Sequence, residues 1–216
     1  MPGVEEIGEL LLPYSGQRLS SEALGLFQSY LALIMKWNSK FNLTAIRDPE
    51  QIVTRHFGEG VFAAQFVPEG ARTLMDLGSG VGIPGIPLQI VLPALAVTLV
   101  EAQQKKAAFL QEAVRQLGLS SSVRAERAEQ IPAKFDVVAL RAVEKMDEML
   151  PVAARHVTDT GSLLVLTSKN AHLNGLHHGQ HWGPGFTWRE FALPAGARSV
   201  LRVGTRADVP RGARAA

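Results

Sequence analysis

The sequence predicts an α/β fold in which a mainly parallel sheet is covered by helices and preceded by a helical extension. Three observations support this prediction. Apolar segments typical of strands alternate with amphipathic segments from residue 73 onward. The apolar segment at 74–77 leads into a glycine-rich turn, and a second one, at 97–100, ends at Glu101. This order is typical of sheets that bind a nucleotide-like ligand at the carboxyl ends of their strands.

Residues 1–70 are predicted to form the helical extension, and residues 71–216 the core that contains the sheet, with both parts packed as one unit. Apolar residues recur at helical spacing from Leu24 to Ile34 and predict a helix that is capped by Ser20 or Ser21 and ends near Asn38. Asp48-Pro49-Glu50 predicts the start of a second helix, running through Phe57, because Asp caps helices and Pro fits their first turn.

Seven segments of the core have the apolar character of strands. They lie near 73–77, 97–100, 123–127, 135–140, 162–167, 186–192 and 198–204. The segment 103–117 places Ala107, Leu110 and Val114 on one face, which predicts a helix that ends at Gly118. The stretch from Asn170 to Pro184 is rich in Gly, His and Asn and is predicted to be a loop.

The turn after the first strand has the composition of a cofactor-binding loop. Asp76 is followed by four closely spaced glycines, Gly78, Gly80, Gly82 and Gly85. A side chain at these positions would block the tight turn and the close approach of a ligand to the backbone. Glu101 ends the next strand, where a carboxylate can accept hydrogen bonds from both hydroxyls of a ribose. Together these residues predict a site for an adenosine-containing cofactor.

Three interpretations of this turn follow from the residues. Residues 80–85 match the G-x-G-x-x-G pattern of dinucleotide-binding sites, so a nicotinamide or flavin oxidoreductase is one alternative. Asp76 favours a positively charged ligand instead, and Pro84 and Pro87 remove N–H donors that a pyrophosphate would need. S-adenosylmethionine, a sulfonium, is therefore the preferred cofactor. A purely structural glycine turn is the third interpretation.

The amino-acid composition limits the reactions and partners that the chain can have. The absence of cysteine excludes thiolate nucleophiles and cysteine-ligated metals, so a nitrogen or oxygen methyl acceptor is favoured over a pyrimidine carbon. His177, His178 and His181 have no acidic residue beside them to complete a metal site, and we expect no metal.

No apolar run has the length of a membrane span, and no signal peptide is visible, so a cytoplasmic protein is expected. The chain from Arg189 onward contains six arginines against Glu190 and Asp208, which is compatible with a polyanionic partner.

Four motifs along the chain point to one bacterial family. The first comprises Trp37-Asn38, the segment Phe41 to Pro49, and Arg55-His56, and the second is the segment Gly82-Ile83-Pro84-Gly85-Ile86-Pro87-Leu88 of the glycine turn. The third is Phe135-Asp136 with Arg141-Ala142, and the fourth is Gly196-Ala197-Arg198. They resemble the N-terminal motif, the cofactor loop, the fourth-strand motif and the C-terminal basic motif of the 16S rRNA guanine-N7 methyltransferases, also called glucose-inhibited division protein B.

The resemblance implies a class I S-adenosylmethionine-dependent methyltransferase fold, which is Rossmann-like, acting on a guanine N7 near the decoding region of small-subunit rRNA. It implies that Gly78 and Ile83 contact the cofactor and that Ala128 and Glu129 flank its adenine. Arg141 would lie beside the methyl group and hydrogen-bond the guanine or the cofactor carboxylate. Asp76, Gly80 and Glu101 complete the predicted cofactor set, and Lys169 and Arg198 are the candidates for holding phosphate or the guanine O6 edge.

An active-site Arg141 predicts that Arg141→Ala reduces methyl transfer with little change in melting temperature. If Arg141 instead forms a structural ion pair with Asp136 or Glu129, the substitution should lower the melting temperature sharply and leave the turnover of the folded protein normal. Lys169 and Arg198 could equally be ordinary surface charges. For His56 we expect a packing role rather than a catalytic one. Trp37 is expected in the core. For Asn38 and Asn42, turn chemistry and contact with the cofactor loop or RNA are equally good explanations.

The chain departs from the family at three places that bear on the RNA target. It has Glu59-Gly60 where Asp-Ser is frequent, Leu140 where Ser usually precedes the arginine, and Asn170 where Gly follows the lysine. The predicted partner is small-subunit rRNA or an assembling small subunit, and the chain is expected to act as a monomer. A non-catalytic RNA-binding protein with the same fold is the remaining alternative.

Overall fold

A computed structural model of the chain describes residues 1–141, 146–169, 185–194, 197 and 199–206. Its centre is a seven-stranded sheet in the order β3-β2-β1-β4-β5-β7-β6. The strands are β1 (Thr73–Leu77), β2 (Ala96–Val100), β3 (Ser122–Arg124), β4 (Phe135–Arg141), β5 (Val157–Ser168), β6 (Phe186–Ala192) and β7 (Ser199–Arg206). Strands β1 to β5 pair in parallel, and β7 runs antiparallel to both β5 and β6. The predicted α/β fold with a mainly parallel sheet is confirmed.

Helices precede and cover the sheet. They are α1 (Val4–Ser15), α2 (Ser21–Phe41), α3 (Pro49–Gln51), α4 (Gly58–Ala64), α5 (Gly85–Val91), α6 (Gln104–Leu117) and α7 (Met146–Arg155), with a short 3₁₀ helix at Ala128–Gln130. The Ser20 side chain caps α2 and the Asp48 side chain caps α3, and Gly118 ends α6 with a φ of 63°. A π-helical stretch, Ile52–Phe57, joins α3 to α4, so the predicted second helix continues to residue 64.

The N-terminal helices share one apolar core with one face of the sheet. Tyr30 of α2 stacks on Phe57 at 4.9 Å between ring centroids. Both belong to a buried cluster that also contains Leu74 of β1 and Leu99 of β2. The opposite face of the sheet buries Met75 and its neighbours under α7 and the 3₁₀ helix. Alternate residues of β1 therefore serve the two faces, as the period of a strand requires.

The central strands end side by side, and this places the site. Leu77 of β1 is aligned with Val100 of β2 and with Leu140 of β4. Gly78, Glu101 and Arg141 each follow directly, so they meet at the carboxyl edge of the sheet. No helix in the described part of the chain is long and apolar enough to span a membrane.

Candidate active site

The glycine-rich turn is closed by its own backbone and by strand β2. The N–H groups of Gly78 and Ser79 both donate to the carbonyl of Val100, at 2.9 and 3.0 Å. The Ser79 hydroxyl donates to the carbonyl of Asp76 at 2.9 Å, and the Gly82 N–H donates to the carbonyl of Ser79 at 2.7 Å. These bonds fix the path of the turn at the end of β1.

The four glycines of the turn serve two purposes. Gly78 and Gly80 have φ values of 73° and 57°, and a Cβ built on Gly80 would meet only the carbonyl oxygen of Gly78, at 3.9 Å. Gly82 and Gly85 face the protein, because a Cβ would lie 2.5 Å from Ile86 Cδ1 at Gly82 and 2.5 Å from Leu99 Cδ2 at Gly85. Gly78 is itself exposed, so the first pair leaves backbone open for a ligand, as the predicted cofactor requires.

The N-terminal extension holds the turn from behind. The Tyr30 hydroxyl of α2 donates a hydrogen bond to the carbonyl of Val81 inside the turn. Gly60 of α4 packs so closely on α5 that a Cβ there would lie 2.6 Å from Pro87 Cβ. The turn is therefore shaped by helices that precede it in the chain. The helical periodicity of α2 did not identify Tyr30 as a contact of the turn.

Asp76 points into the protein. It is fully buried, and its Oδ2 accepts a hydrogen bond from the N–H of Gly85 at 3.0 Å. Its Oδ1 has no hydrogen-bond partner in the described part of the chain. Burial is the main cause that raises the pKa of this carboxyl from 3.8 to about 7, and the charge of Glu101 adds to the effect. The structure thus gives Asp76 a role in closing the turn, and its contact with a cofactor stays a prediction.

We expect the free energy of unfolding of the unsubstituted chain to fall, relative to that of Asp76→Asn, as the pH rises from about 4 to about 7. In this window the folded chain keeps a proton on Asp76 that the unfolded chain has released, because the pKa is about 7 when folded and 3.8 when unfolded. Raising the pH therefore favours unfolding, by at most about 1.4 kcal/mol per pH unit. An amide at this position does not titrate.

Urea unfolding of both chains across this pH range measures the difference. His56, whose pKa is lowered, contributes a slope of the opposite sign, but it is present in both chains and cancels. A stability difference that is constant with pH would contradict the prediction.

Glu101 forms the wall of the turn next to the open glycines. Its Oε2 accepts from the N–H of Gly80 at 2.9 Å, and its Oε1 accepts from the N–H of Gln103 at 2.8 Å. Each carboxylate oxygen has two lone pairs, so one N–H on each leaves capacity for a ribose hydroxyl. The geometry is compatible with the predicted role and adds a second one, support of the turn.

Arg141 is held by residues of the N-terminal extension. Its Nε donates to Glu59 Oε2 at 2.5 Å, and its Nη2 donates to His56 Nδ1 at 2.9 Å. The other oxygen of Glu59 accepts from the Ser199 hydroxyl of β7 at 2.6 Å. Glu59 is therefore the ion-pair partner of Arg141, whereas the sequence suggested Asp136 or Glu129. Asp136 instead binds Thr73 at the opposite end of β4.

His56 completes this cluster in its neutral form. Burial, and then the charge of Arg141, lower its pKa from 6.5 to about 3. A neutral ring that accepts from Arg141 at Nδ1 carries its proton on Nε2, which lies 3.0 Å from Thr44 Oγ1. The expected packing role thus has a specific form: His56 packs on Arg141 and accepts its hydrogen bond. Nothing local in the sequence linked His56 or Glu59 to Arg141, which lies more than 80 residues further along the chain.

The turn before α3 explains two further residues. Asn38 accepts from the N–H of Thr44 at 2.9 Å, and its amide lies 3.3 Å from the carbonyl of Ile46. Asn42 adopts a left-handed conformation with φ 49° at the end of α2. The structure shows the turn chemistry of these asparagines, and their contact with the cofactor or RNA stays a prediction.

The other predicted site residues are spread along the same edge of the sheet. Ile83 and Ala128 are buried, Glu129 is exposed on the 3₁₀ helix after β3, and Lys169 is exposed after β5. Among the described residues, no hydrogen bond or ion pair joins Lys169 to Arg141. Arg198 lies outside the described residues, and so do His177, His178 and His181. Within the residues described, no group of three His, Asp or Glu is arranged to hold a metal ion.

The sequence matches the family model described as rRNA small subunit methyltransferase G over residues 23–182. Ribosomal RNA small subunit methyltransferase G of Stenotrophomonas maltophilia (strain K279a) is 44% identical over 146 residues, which cover 66% of this chain and 68% of that protein. The protein of the same name from Xylella fastidiosa (strain M23) is 41% identical over 158 residues, covering 71% and 73%.

Solved structures share the fold at low sequence identity. Magnesium protoporphyrin IX methyltransferase from Synechocystis PCC 6803, solved with bound S-adenosylmethionine, has a TM-score of 0.59 and 14% identity, and covers 82% of this chain and 97% of that one. TrmN from Thermus thermophilus has a TM-score of 0.54 and 19% identity, with 72% and 53% covered. Both place the sheet and its helices in the class I methyltransferase fold that the sequence predicted.

Proposed function

The chain belongs to the rRNA small subunit methyltransferase G family, and on that premise we propose that it methylates a guanine N7 in small-subunit rRNA. It is an S-adenosylmethionine-dependent rRNA methyltransferase. We further propose that it acts in the cytoplasm as a monomer, on small-subunit rRNA or an assembling small subunit. The observation that supports the site best is the open backbone of Gly78 and Gly80, which lies beside Arg141 at the ends of β1 and β4.

Different residues of the chain bind the cofactor and orient the substrate guanine. The backbone at Gly78 and Gly80 leaves room for the cofactor, and Glu101 accepts hydrogen bonds from its ribose. Ile83 and Ala128 line the site, and Glu129 lies at the adenine. Arg141 donates to the guanine or to the cofactor carboxylate, and Lys169 and Arg198 hold phosphate or the O6 edge. Glu59 and His56 hold Arg141 in place for this task.

The chemistry needs no general base. When bound, S-adenosylmethionine supplies an electrophilic methyl group on a sulfonium. Guanine N7 has a free lone pair and would accept this methyl group without losing a proton, so the positive charge would pass from the sulfonium to the guanine. The protein's contribution is therefore alignment of donor and acceptor and control of charge, the latter through Arg141 and its partners Glu59 and His56.

The substrate guanine must be accessible. In A-form RNA the major groove is too deep and narrow for a side chain or a methyl donor to reach N7. The target is therefore an unstacked or irregularly folded guanine, whose backbone and O6/N7 edge are held by basic residues.

The test supplies small subunits that lack the modification together with methyl-labelled S-adenosylmethionine. We expect label on 16S rRNA that maps, by cleavage at N7-methylguanine, to one position. Label on protein, on a small molecule or on a pyrimidine carbon would overturn the proposal, and RNA binding without turnover would favour the non-catalytic alternative.

Glu101→Ala is expected to weaken S-adenosylhomocysteine binding by about 1–3 kcal/mol, since the ribose hydroxyls and the Gly80 N–H lose their acceptor. Calorimetry measures the affinity. Glu112→Ala on the exposed side of α6 is the control and should bind as the unsubstituted chain does. Binding of NADH in place of S-adenosylhomocysteine would instead support the oxidoreductase interpretation.

A further inference from the structure

An aromatic ring is exposed at the end of α2. Phe41 is 45% exposed, and Met1 is the only other large hydrophobic residue among those described that is exposed. The ring is supported from behind: its centroid lies 5.3 Å from that of Trp37, which packs edge-on against Phe109 of α6 at 5.6 Å. Phe41 is therefore a fixed flat surface turned toward solvent. Trp37, expected in the core, is half-buried beneath it.

Several basic side chains lie on the elements around this ring, and one of them, Lys36, also interacts with Glu112 of α6. Lys36 and Lys40 are exposed on the same end of α2, and Lys105 is exposed one turn before Phe109 on α6. Arg47 is exposed as well, and its guanidinium donates to Asn42 Oδ1 at 2.6 Å, directly beside Phe41. The nearby Asp48 carboxylate is occupied in capping α3. We call Lys36, Lys40, Phe41, Arg47 and Lys105 the aromatic–basic surface.

This surface is connected to the predicted active site by a short chain of contacts. The loop after Phe41 brings Thr44 Oγ1 to within 3.0 Å of His56 Nε2. The other ring nitrogen of His56 lies 2.9 Å from Nη2 of Arg141. The aromatic–basic surface is therefore linked through Thr44 and His56 to Arg141 at the carboxyl edge of the sheet.

We propose that Phe41 stacks on an unpaired base of the substrate RNA near the target guanine, while the surrounding Lys and Arg side chains contact its phosphates. This inference rests on the proposed function and extends it. An exposed ring framed by cations is the arrangement that binds single-stranded RNA, because every base has a face that stacks and every nucleotide carries a phosphate. A second copy of the chain fits this surface poorly, since it would bring like charges together.

Three variants at one position test the stacking. In methylation of small subunits at saturating S-adenosylmethionine, Phe41→Ala and Phe41→Leu should raise KM for the subunit roughly 10-fold with little change in kcat. Phe41→Trp should keep the original KM, because it retains an aromatic face. S-adenosylhomocysteine affinity should stay unchanged in all three, and Phe41→Ala and Phe41→Leu should lower the melting temperature only by the loss of packing on Trp37. If Phe41→Leu keeps the original KM, the ring acts as an ordinary apolar contact and the inference is overturned.

A matched pair of lysines tests the charges. Lys40→Gln should raise KM and weaken its dependence on salt, because a phosphate contact is lost. Lys134→Gln is the control: Lys134 is also exposed but lies at the opposite edge of the sheet, just before β4, near Asp159. Equal effects of the two substitutions would contradict a localised RNA contact.

Crosslinking identifies the partner directly. A photoreactive benzoyl-phenylalanine at position 41 should crosslink to 16S rRNA near the methylated guanine. A crosslink to a ribosomal protein or to a second copy of the chain would overturn the inference even if methylation proceeds. Failure of the unsubstituted chain to methylate rRNA at all would instead defeat the proposed function, so the two outcomes are distinguishable.

Discussion

Arg141→Ala is expected to lose both methyl transfer and folding stability. The substitution removes the guanidinium that we place at the substrate, and methylation should fall at least about 100-fold. It also leaves the carboxylate of Glu59, whose side chain is 5% exposed, without its ionic partner. An uncompensated buried charge of this kind costs about 3–5 kcal/mol. The sequence alone predicted a different result, in which Arg141→Ala loses activity with little change in melting temperature.

A second variant separates the two effects. Arg141→Met combined with Glu59→Gln removes both charges at once, so no buried charge is left unpaired, while the Nδ1 of His56 loses its donor in both variants alike. Urea unfolding should then show most of the stability restored, and subunit methylation should stay low. If the double variant turns over normally, Arg141 is a structural ion. If it is as unstable as Arg141→Ala, the buried charge of Glu59 is not the cause of the instability.

Gly82→Ala is expected to disrupt the cofactor turn and to lower stability by about 3 kcal/mol. Its φ of 88° strains any residue with a Cβ, and that Cβ would lie 2.5 Å from Ile86 Cδ1 and 2.8 Å from the Tyr30 hydroxyl. The left-handed conformation costs about 1–2 kcal/mol and the crowding about as much again. Because the turn must shift to relieve both, S-adenosylhomocysteine affinity should fall more than about 10-fold.

Gly118→Ala is the matched control for this substitution. Gly118 has a similar φ of 63°, but nothing lies within 4 Å of its Cβ position. It should lose only the conformational part, about 1–2 kcal/mol, and bind S-adenosylhomocysteine unchanged. Calorimetry and urea unfolding on both variants make the comparison. Equal losses of affinity would show that the turn is not held by its contact with Tyr30 and Ile86.

Local patterns in the sequence were sufficient for most of the fold. The apolar run into Gly78 and the one ending at Glu101 are strands β1 and β2, because buried parallel strands are continuously apolar. Strand β5 begins at Val157, five residues before its predicted start, since its first part is polar and half-exposed. Helix α7 contains Pro151, a residue that argues against a helix interior, and it was not predicted.

The site was only partly predictable, for a related reason. The glycines, Glu101 and Arg141 stand at strand ends that the sequence marks. The partner of Arg141 is not marked in this way. Glu59 lies 82 residues away in the sequence, in a helix whose residue pattern indicates only which face is apolar. The contact of Tyr30 with the turn is equally distant, at 51 residues. Such contacts are decided by how whole elements pack and have no local signature.

The bond between Glu59 and Ser199 has a consequence for the order in which the protein is made. Its two ends are 140 residues apart, one in the N-terminal extension and one at the first residue of β7. During synthesis, Glu59 leaves the ribosome long before Ser199 does. A nascent chain that stops before β7 lacks the Ser199 hydroxyl that binds Glu59, the ion-pair partner of Arg141. The contacts around Arg141 are therefore complete only after β7 has been made.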